Sequence, residues 1–286
     1  MSKFYFRKIS KNEAMKFWES SPQATAFSNP EILSYFNLNI DWWQSKKGEQ
    51  PIAIWPINFD KNNIVTIPDF FYYFGPIWFK DFSKIPNHSW LSLSKNVYEG
   101  FIQNFILEYG GVHSQLPLEL NDVRIFDWWN YNEKENKRFL IKPKYSAVIE
   151  NLDQVSKHDI KSNFRYWRRN ELKKIEKNLN MIEKTNDITA KEILEFYNKV
   201  TKNKKENTIR MIESFLNLVK NNFGEIIAYR NKKNNSLISL VIMLFGKNEA
   251  NLIISLIDEN WKREGLSVFS ILESILSAKK KKLKIY

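Results

Sequence analysis

A basic turn between an apolar strand and an amphipathic helix is the part of this sequence whose residue types best suit chemistry. The strand is predicted at Ala250–Ile257 and the turn at Lys262–Ser267, which reads KREGLS. A helix N-terminus presents backbone N–H groups without intrahelical partners, and together with the helix dipole they favour an anion. The turn therefore predicts a site for the phosphates of a cofactor, although many strand–helix turns contain glycine and bind nothing.

Basic side chains also crowd a long helix predicted at Lys157–Leu179. Its apolar residues fall at helical spacing and include Trp167, which is therefore expected in the core. Arginines and lysines occupy the other faces, where they either contact the phosphates of a substrate or lie in solvent. The candidates for phosphate contacts are Arg165, Arg168, Arg169 and Lys173.

Charge divides the chain into two halves near residue 150. Residues 1–150 hold 17 Lys and Arg against 16 Asp and Glu, whereas residues 151–286 hold 27 against 16, so most of the net charge of +12 lies in the second half. Eight of the ten tryptophans lie in residues 1–129. We therefore predict two domains, 1–150 and 151–286. The second has either an anionic partner or a lysine-rich solvated surface.

The composition excludes several classes of protein. The chain has no cysteine, so it cannot hold a disulfide, a thiolate nucleophile or a zinc–thiolate site. No apolar run approaches the ~20 residues that span a bilayer, and the N-terminus lacks the apolar core of a signal peptide. We expect a soluble, cytoplasmic protein without a transmembrane segment and without a metal.

The order of predicted elements indicates a mixed α/β sheet with helices on its faces. After the long helix come a strand at Met181–Glu183, two helices, a hairpin, the strand at Ala250–Ile257, the closing helix and the start of a last strand. The first half has a loosely similar order. It comprises a strand at Phe4–Ile9, a helix with a capping box at Ser10 and Glu13, a helix at Pro30, a hairpin, a helix at Ser94–Tyr109 and two or three strands through about Asn151.

Three segments resemble the FemAB-like acyltransferases, whose chains carry two halves of the GNAT fold. Lys262–Ser267 is similar to the GNAT phosphate loop, Q/R-x-x-G-x-G/A, with lysine first and serine last. Asn163–Asn180 resembles the basic N-x-x-K-A-E-K-x-G helix of FemAB-like proteins, and Ala24–Leu33 resembles their F-x-S-P-x-W-L start. The resemblance spans nearly the whole chain, except that residues which family members place beyond Tyr286 are expected to be missing.

The resemblance implies an α/β (α+β) fold of two GNAT-like mixed-sheet halves with helices on both faces. The first half would serve the acceptor without a cofactor, and the second would bind the acyl donor. The implied activity is N-acyl transfer from an acyl-thioester, most simply acetyl-CoA, to an amine such as an amino sugar or sugar nucleotide of cell-envelope polysaccharide synthesis. Two alternatives stay open: a FemX-like, aminoacyl-tRNA-dependent aminoacyltransferase acting on a peptidoglycan precursor, and a catalytically degenerate binding module.

The resemblance also implies roles for particular residues. The strand backbone would pair with the pantetheine arm and polarise the thioester carbonyl. The implied cofactor contacts are Leu256, Ile257, Lys262, Arg263, Gly265, Leu266 and Ser267. Besides the four basic residues above, the aromatic rings of Tyr72, Tyr73, Trp128 and Trp129 would stack on a sugar or acyl chain, unless they belong to the core.

Asp258, just past the strand, is the first candidate to accept the proton of the attacking amine. The three histidines show no triad pattern, and the chain has neither a cysteine nor a G-x-S-x-G element. A covalent acyl-enzyme is therefore not expected.

Overall fold

Two units make up the chain in the computed structural model, Met1–Ser146 and Ala147–Tyr286. The structure describes residues 3–79, 84–117, 120, 122–133, 138–202 and 208–285. Within these ranges no helix is both long enough and apolar enough to cross a membrane. The roles assigned to the two halves stay predictions.

The first two helices of unit 1 begin at N-cap residues that the sequence predicts. The Ser10 hydroxyl accepts the backbone N–H of Glu13 at 3.2 Å, and the Glu13 carboxylate accepts the N–H of Ser10 at 2.9 Å, so the predicted capping box is confirmed. Asn29 caps the next helix, which starts at Pro30. The elements are β1 Phe4–Ile9, α1 Lys11–Ser20, α2 Pro30–Ser34, β2 Ile40–Lys47, β3 Gln50–Phe59, β4 Val65–Thr66, β5 Ile77–Trp78, α3 Asn87–Tyr109 and α4 Arg124–Trp128.

The strands of unit 1 form an antiparallel sheet in the order β1-β2-β3-β4, and β5 also pairs with β3. Helix α3 packs against this sheet. The indole of Trp55 on β3 meets the rings of Tyr98, Phe101 and Phe105 on α3 edge to face, with centroids 5.8, 5.6 and 5.2 Å apart. Several of the tryptophans of the first half lie in this aromatic core.

The prediction of two or three strands after α3 is wrong for the described residues. Apart from single bridges at Gln115 and Ile149, the described segments between α3 and residue 151 contain no strand, and α3 itself begins at Asn87 rather than Ser94. One run with strand-like composition instead forms the short helix α4, which buries Phe126 against Tyr98. Residues 140–147 are exposed, so they have no buried face to stabilise a strand.

Unit 2 follows the predicted order closely. Its elements are α5 Lys157–Ser162, α6 Tyr166–Lys177, β6 Ile182–Thr185, α7 Ala190–Thr201, α8 Thr208–Lys220, β7 Gly224–Asn231, β8 Leu237–Phe245, β9 Glu249–Ile257, α9 Glu259–Arg263, α10 Leu266–Lys280 and β10 Lys284–Ile285. The sheet order is β10-β9-β8-β7-β6; β10 runs parallel to β9, and the other pairs are antiparallel. The mixed α/β fold with two sheets is thus as predicted.

The single long helix predicted at 157–179 is wrong, because the chain breaks between α5 and α6. The Arg169 guanidinium donates hydrogen bonds to the carbonyls of Ser162 at 2.8 Å and Phe164 at 2.7 Å, which stabilises the break. The break also resets the helical phase. Trp167, expected in the core, is therefore 48% exposed, while Leu172 and Ile175 are buried.

Candidate functional site

The outer edge of β9 leaves backbone groups without a neighbouring strand over part of its length. Strand β10 pairs with β9 only at Glu249 and Ala250, so no strand among the described residues lies beside β9 further on. The N–H of Asp258 donates to the carbonyl of Ile238 on β8. Because backbone groups alternate in an antiparallel pair, Leu256 also points its groups to β8, and Ser255 and Ile257 point theirs outward.

The register of this strand also shifts. Ile254 pairs with Ile242, but Leu252 pairs with Met243, which places a β-bulge at Ile253. A bulge bends its strand and increases the local twist, and bulges often lie beside active sites. The outward groups of Ser255 and Ile257 make no hydrogen bond with another described residue. They can accept an extended, amide-containing ligand as a strand would.

The turn that resembles a phosphate loop packs against α6. Gly265 has a φ of +89° and lies directly against the backbone of Glu171 on α6. The Glu264 carboxylate accepts hydrogen bonds from Lys174 at 3.0 Å and Asn178 at 3.2 Å, and Lys174 also donates to the carbonyl of Arg263. These contacts explain Gly265 without any bound phosphate.

The other predicted residues of this turn differ in access. The side chains of Lys262 and Arg263 are exposed, Ser267 is half-buried and Leu266 is fully buried. Only the two basic side chains and Ser267 can therefore reach a ligand without rearrangement.

Asp258 caps the short helix α9 by accepting the N–H of Asn260 at 3.1 Å. Its carboxylate also accepts a hydrogen bond from Lys199 at 2.7 Å. Partial burial raises the pKa of Asp258, but the Lys199 ion pair and the Asn260 N–H outweigh it and lower the pKa overall. The group is thus ionised, as a base must be, but already has partners.

The basic residues of α6 have two kinds of surroundings. Arg169 holds the α5–α6 break, and Arg168 pairs with Glu171 at 2.8 Å while stacking on Trp167 at 3.9 Å from the ring centroid. In contrast, the side chains of Arg165 and Lys173 are exposed and have no ion pair or hydrogen bond with any described residue. Neighbouring Tyr166 is 72% exposed, so cations and flat aromatic rings share this surface.

The predicted aromatic contacts lie in unit 1. Tyr73 is buried and donates its hydroxyl hydrogen to Ser146 Oγ at 2.8 Å, whereas Tyr72 is 41% exposed. Of this pair, Tyr72 is therefore the residue with surface that a ligand can reach. Among the described residues no group of three or more His, Cys, Asp or Glu side chains could hold a metal ion.

Sequence reasoning missed Ser255, Glu264 and Lys199. Ser255 could have been noticed, because it is the one hydroxyl residue in an apolar run. The contacts of Glu264 with α6 and of Lys199 with Asp258 join segments distant in the sequence, and no local signal reports them.

FemX and a second solved structure share the fold of this chain. FemX aligns over 98% of this chain and 87% of its own, with 9% identity and a TM-score of 0.60. A conserved protein of unknown function from Bacteroides thetaiotaomicron aligns over 99% and 89%, with 12% identity and a TM-score of 0.50. A tandem GNAT protein from the clavulanic acid biosynthesis pathway has 8% identity and a TM-score of 0.42. No protein-family model and no curated protein matches the sequence.

At this level of identity the comparison shows the fold alone: the chain shares the fold of FemX. The element order of unit 2 is the order on which the resemblance rested. The structure adds that β9 and β10 are parallel.

Proposed function

We propose that this protein is an acyltransferase that moves an acyl group from an acyl-thioester, most simply acetyl-CoA, to an amine acceptor. The acceptor is an amino sugar or sugar nucleotide of cell-envelope polysaccharide synthesis. The observation that carries the proposal is the outer edge of β9, where Ser255 and Ile257 direct N–H and C=O groups away from the sheet next to the bulge at Ile253.

Acyl transfer needs a donor for the negative charge that develops on the carbonyl oxygen when the amine attacks. A backbone N–H fixed in a strand supplies this without reorganisation. The amide groups of a pantetheine arm would pair with the same edge as an added strand. Lys262, Arg263 and Ser267 are the proposed contacts for its phosphates, Asp258 is the base candidate, and Tyr72 is the proposed acceptor contact in unit 1.

Replacing Ser255 by proline tests this proposal, because it removes the outward N–H and leaves the hydrogen bonds between β8 and β9 in place. Proline is tolerated at strand positions whose N–H faces away from the sheet. We expect S255P to lower kcat/KM with acetyl-CoA by about 10². The matched control S255A keeps the N–H and should stay within about threefold of wild type. Equal activity of the two variants would refute the role of this edge.

A second candidate is transfer of an aminoacyl group from aminoacyl-tRNA, and one observation favours it. One side of the turn where a CoA pyrophosphate was predicted packs against α6 through Gly265 and Glu264, while Arg165, Lys173 and Tyr166 present cations and an aromatic ring on α6. Such a surface binds phosphates and stacks unpaired bases.

Binding of acetyl-CoA and of charged tRNA separates the two candidates. If tRNA is the donor, R165A/K173A reduces the slope of log K against log salt by about 2, because two phosphate contacts disappear. The matched control is K232A/K233A, which removes two exposed lysines from the β7–β8 turn. Binding of neither donor would instead support the catalytically degenerate binding module.

A further inference from the structure

Helices α3 and α4 of unit 1 border a surface groove of about 330 Å³ that the proposed acyl transfer does not use. Trp128 and Trp129 line one side. Lys95, Glu99 and Gln103 line the other at helical spacing of four residues, so all three project from one face of α3. The groove therefore combines indole rings with hydrogen-bonding side chains.

The indole of Trp128 is exposed, and a neighbouring guanidinium restrains it. It is 58% exposed, and the guanidinium of Arg124 lies 5.9 Å from its ring centroid. Arg124 is itself fixed by two hydrogen bonds to Asp122, of 2.8 and 2.7 Å. A large aromatic ring that is left in water but restrained can bind a ligand at low entropic cost.

The charges in the groove select a neutral ligand. Lys95 and Glu99 form an ion pair of 3.8 Å, so they cancel rather than attract an ion. Gln103 adds an amide that both donates and accepts hydrogen bonds. We propose that this groove binds a neutral saccharide, with one pyranose ring on Trp128 and its hydroxyls hydrogen bonded to Glu99 and Gln103. The C–H groups on one face of such a ring are weakly positive and suit the negative face of the indole.

Cellobiose is a suitable probe, because its hydroxyls are equatorial and leave both ring faces apolar. Saturation-transfer NMR and calorimetry on the full chain should detect saturable binding. We expect W128A to weaken it by about tenfold and Q103A by about threefold. The matched control Y131A removes a nearby exposed aromatic ring that does not line the groove, and it should bind like wild type. Circular dichroism checks that each variant is folded.

Saccharide binding in this groove does not depend on the proposed acyl transfer, so each can be tested and refuted separately. Absence of cellobiose binding to wild type, or binding that W128A leaves unchanged, would overturn it. Trp128-dependent binding to anionic phospholipid vesicles without cellobiose binding would also overturn it and assign the groove to a membrane surface. If W128A does not fold, E99Q decides instead: it keeps the size of the side chain and should weaken binding by about threefold.

Discussion

The backbone of Glu171 on α6 lies directly against Gly265, so that a side-chain carbon at Gly265 would overlap the Glu171 carbonyl. Two helices distant in the sequence therefore meet at the turn after α9. Glycine is required at this position both by its φ of +89° and by the close approach. A glycine that matches a phosphate-loop motif has here a packing role that the motif does not reveal.

The first prediction is that Gly265→Ala destabilises the protein by about 2–4 kcal/mol, the sum of a left-handed alanine and an overpacked contact. Urea denaturation followed by circular dichroism measures this. Gly110→Ala is the control, because Gly110 has a φ of +74° but nothing within 4 Å of an added Cβ. It should cost only about 1–2 kcal/mol. Equal losses would contradict the packing role of Gly265.

The second prediction concerns the proton acceptor of the proposed reaction. Asp258→Asn keeps a side chain that caps α9 but cannot accept the proton of an amine, so we expect kcat to fall by about 10² or more while the fold stays intact. Unchanged kcat would leave Asp258 with the capping role alone.

A shift in the pH profile provides a separate check on Asp258. Lys199→Met removes the ion pair that lowers the pKa of Asp258, so this pKa should rise. The acid limb of kcat/KM should then move to higher pH, whereas it should stay in place if another group accepts the proton.

The elements of unit 2 could be read from the sequence because local signals mark their ends. Thr189 and Glu192 form a capping box at α7. Strands β7, β8 and β9 are apolar runs separated by polar turns. The α5–α6 break could not be read, because the side chain that stabilises it, Arg169, looks like any other cation of a basic helix. The exposure of Trp167 was missed for the same reason.

The candidate site was predicted to the level of the strand and the turn, but not to the level of individual groups. Which residues of β9 face outward depends on the hydrogen-bond phase with β8, which the sequence does not state. The residue assignments therefore included Leu256, whose backbone faces β8, and omitted Ser255. Similarly, the sequence motif at Gly265 does not show whether the glycine is needed for phosphate binding or for packing against α6.

The third prediction tests a cation that joins three segments of unit 2. Arg230 donates to Glu192 at 2.8 Å and to the carbonyls of Asp187 and Asn235 at 3.1 Å. Lysine keeps the charge but not the planar fork, so Arg230→Lys should cost about 1–3 kcal/mol. The exposed Arg210 gives the control R210K, which should be near neutral.

The same contacts predict an acid dependence. The N–H of Thr189 and the guanidinium of Arg230 lower the pKa of Glu192. The stability from this group is therefore present above the ordinary carboxyl pKa of about 4.3 and is lost as the pH falls. R230K should lose less stability than wild type on acidification, and an equal loss would argue against the contribution of Arg230.

The last prediction concerns the alkaline stability of unit 1, where Tyr109 at the end of α3 forms hydrogen bonds with two residues of β2. Its hydroxyl accepts the N–H of Trp43 at 3.0 Å and donates to Asp41, which also pairs with Lys8 at 2.7 Å. Burial and the hydrogen bond to Asp41 raise the pKa of Tyr109 to about 12. The unfolded chain loses this proton near pH 10, so the stability from Tyr109 declines between about pH 10 and pH 12.

The destabilisation caused by Tyr109→Phe should therefore be larger near neutral pH than at alkaline pH. Near neutral pH it leaves the Trp43 N–H without its acceptor and should cost about 1–2 kcal/mol. At about pH 11 the difference from wild type should shrink, because phenylalanine has no proton to lose. Urea denaturation of wild type, Y109F and the exposed control Y131F at both pH values measures this. A Y109F deficit that stays constant with pH would show that Tyr109 does not titrate differently in the folded and unfolded chain.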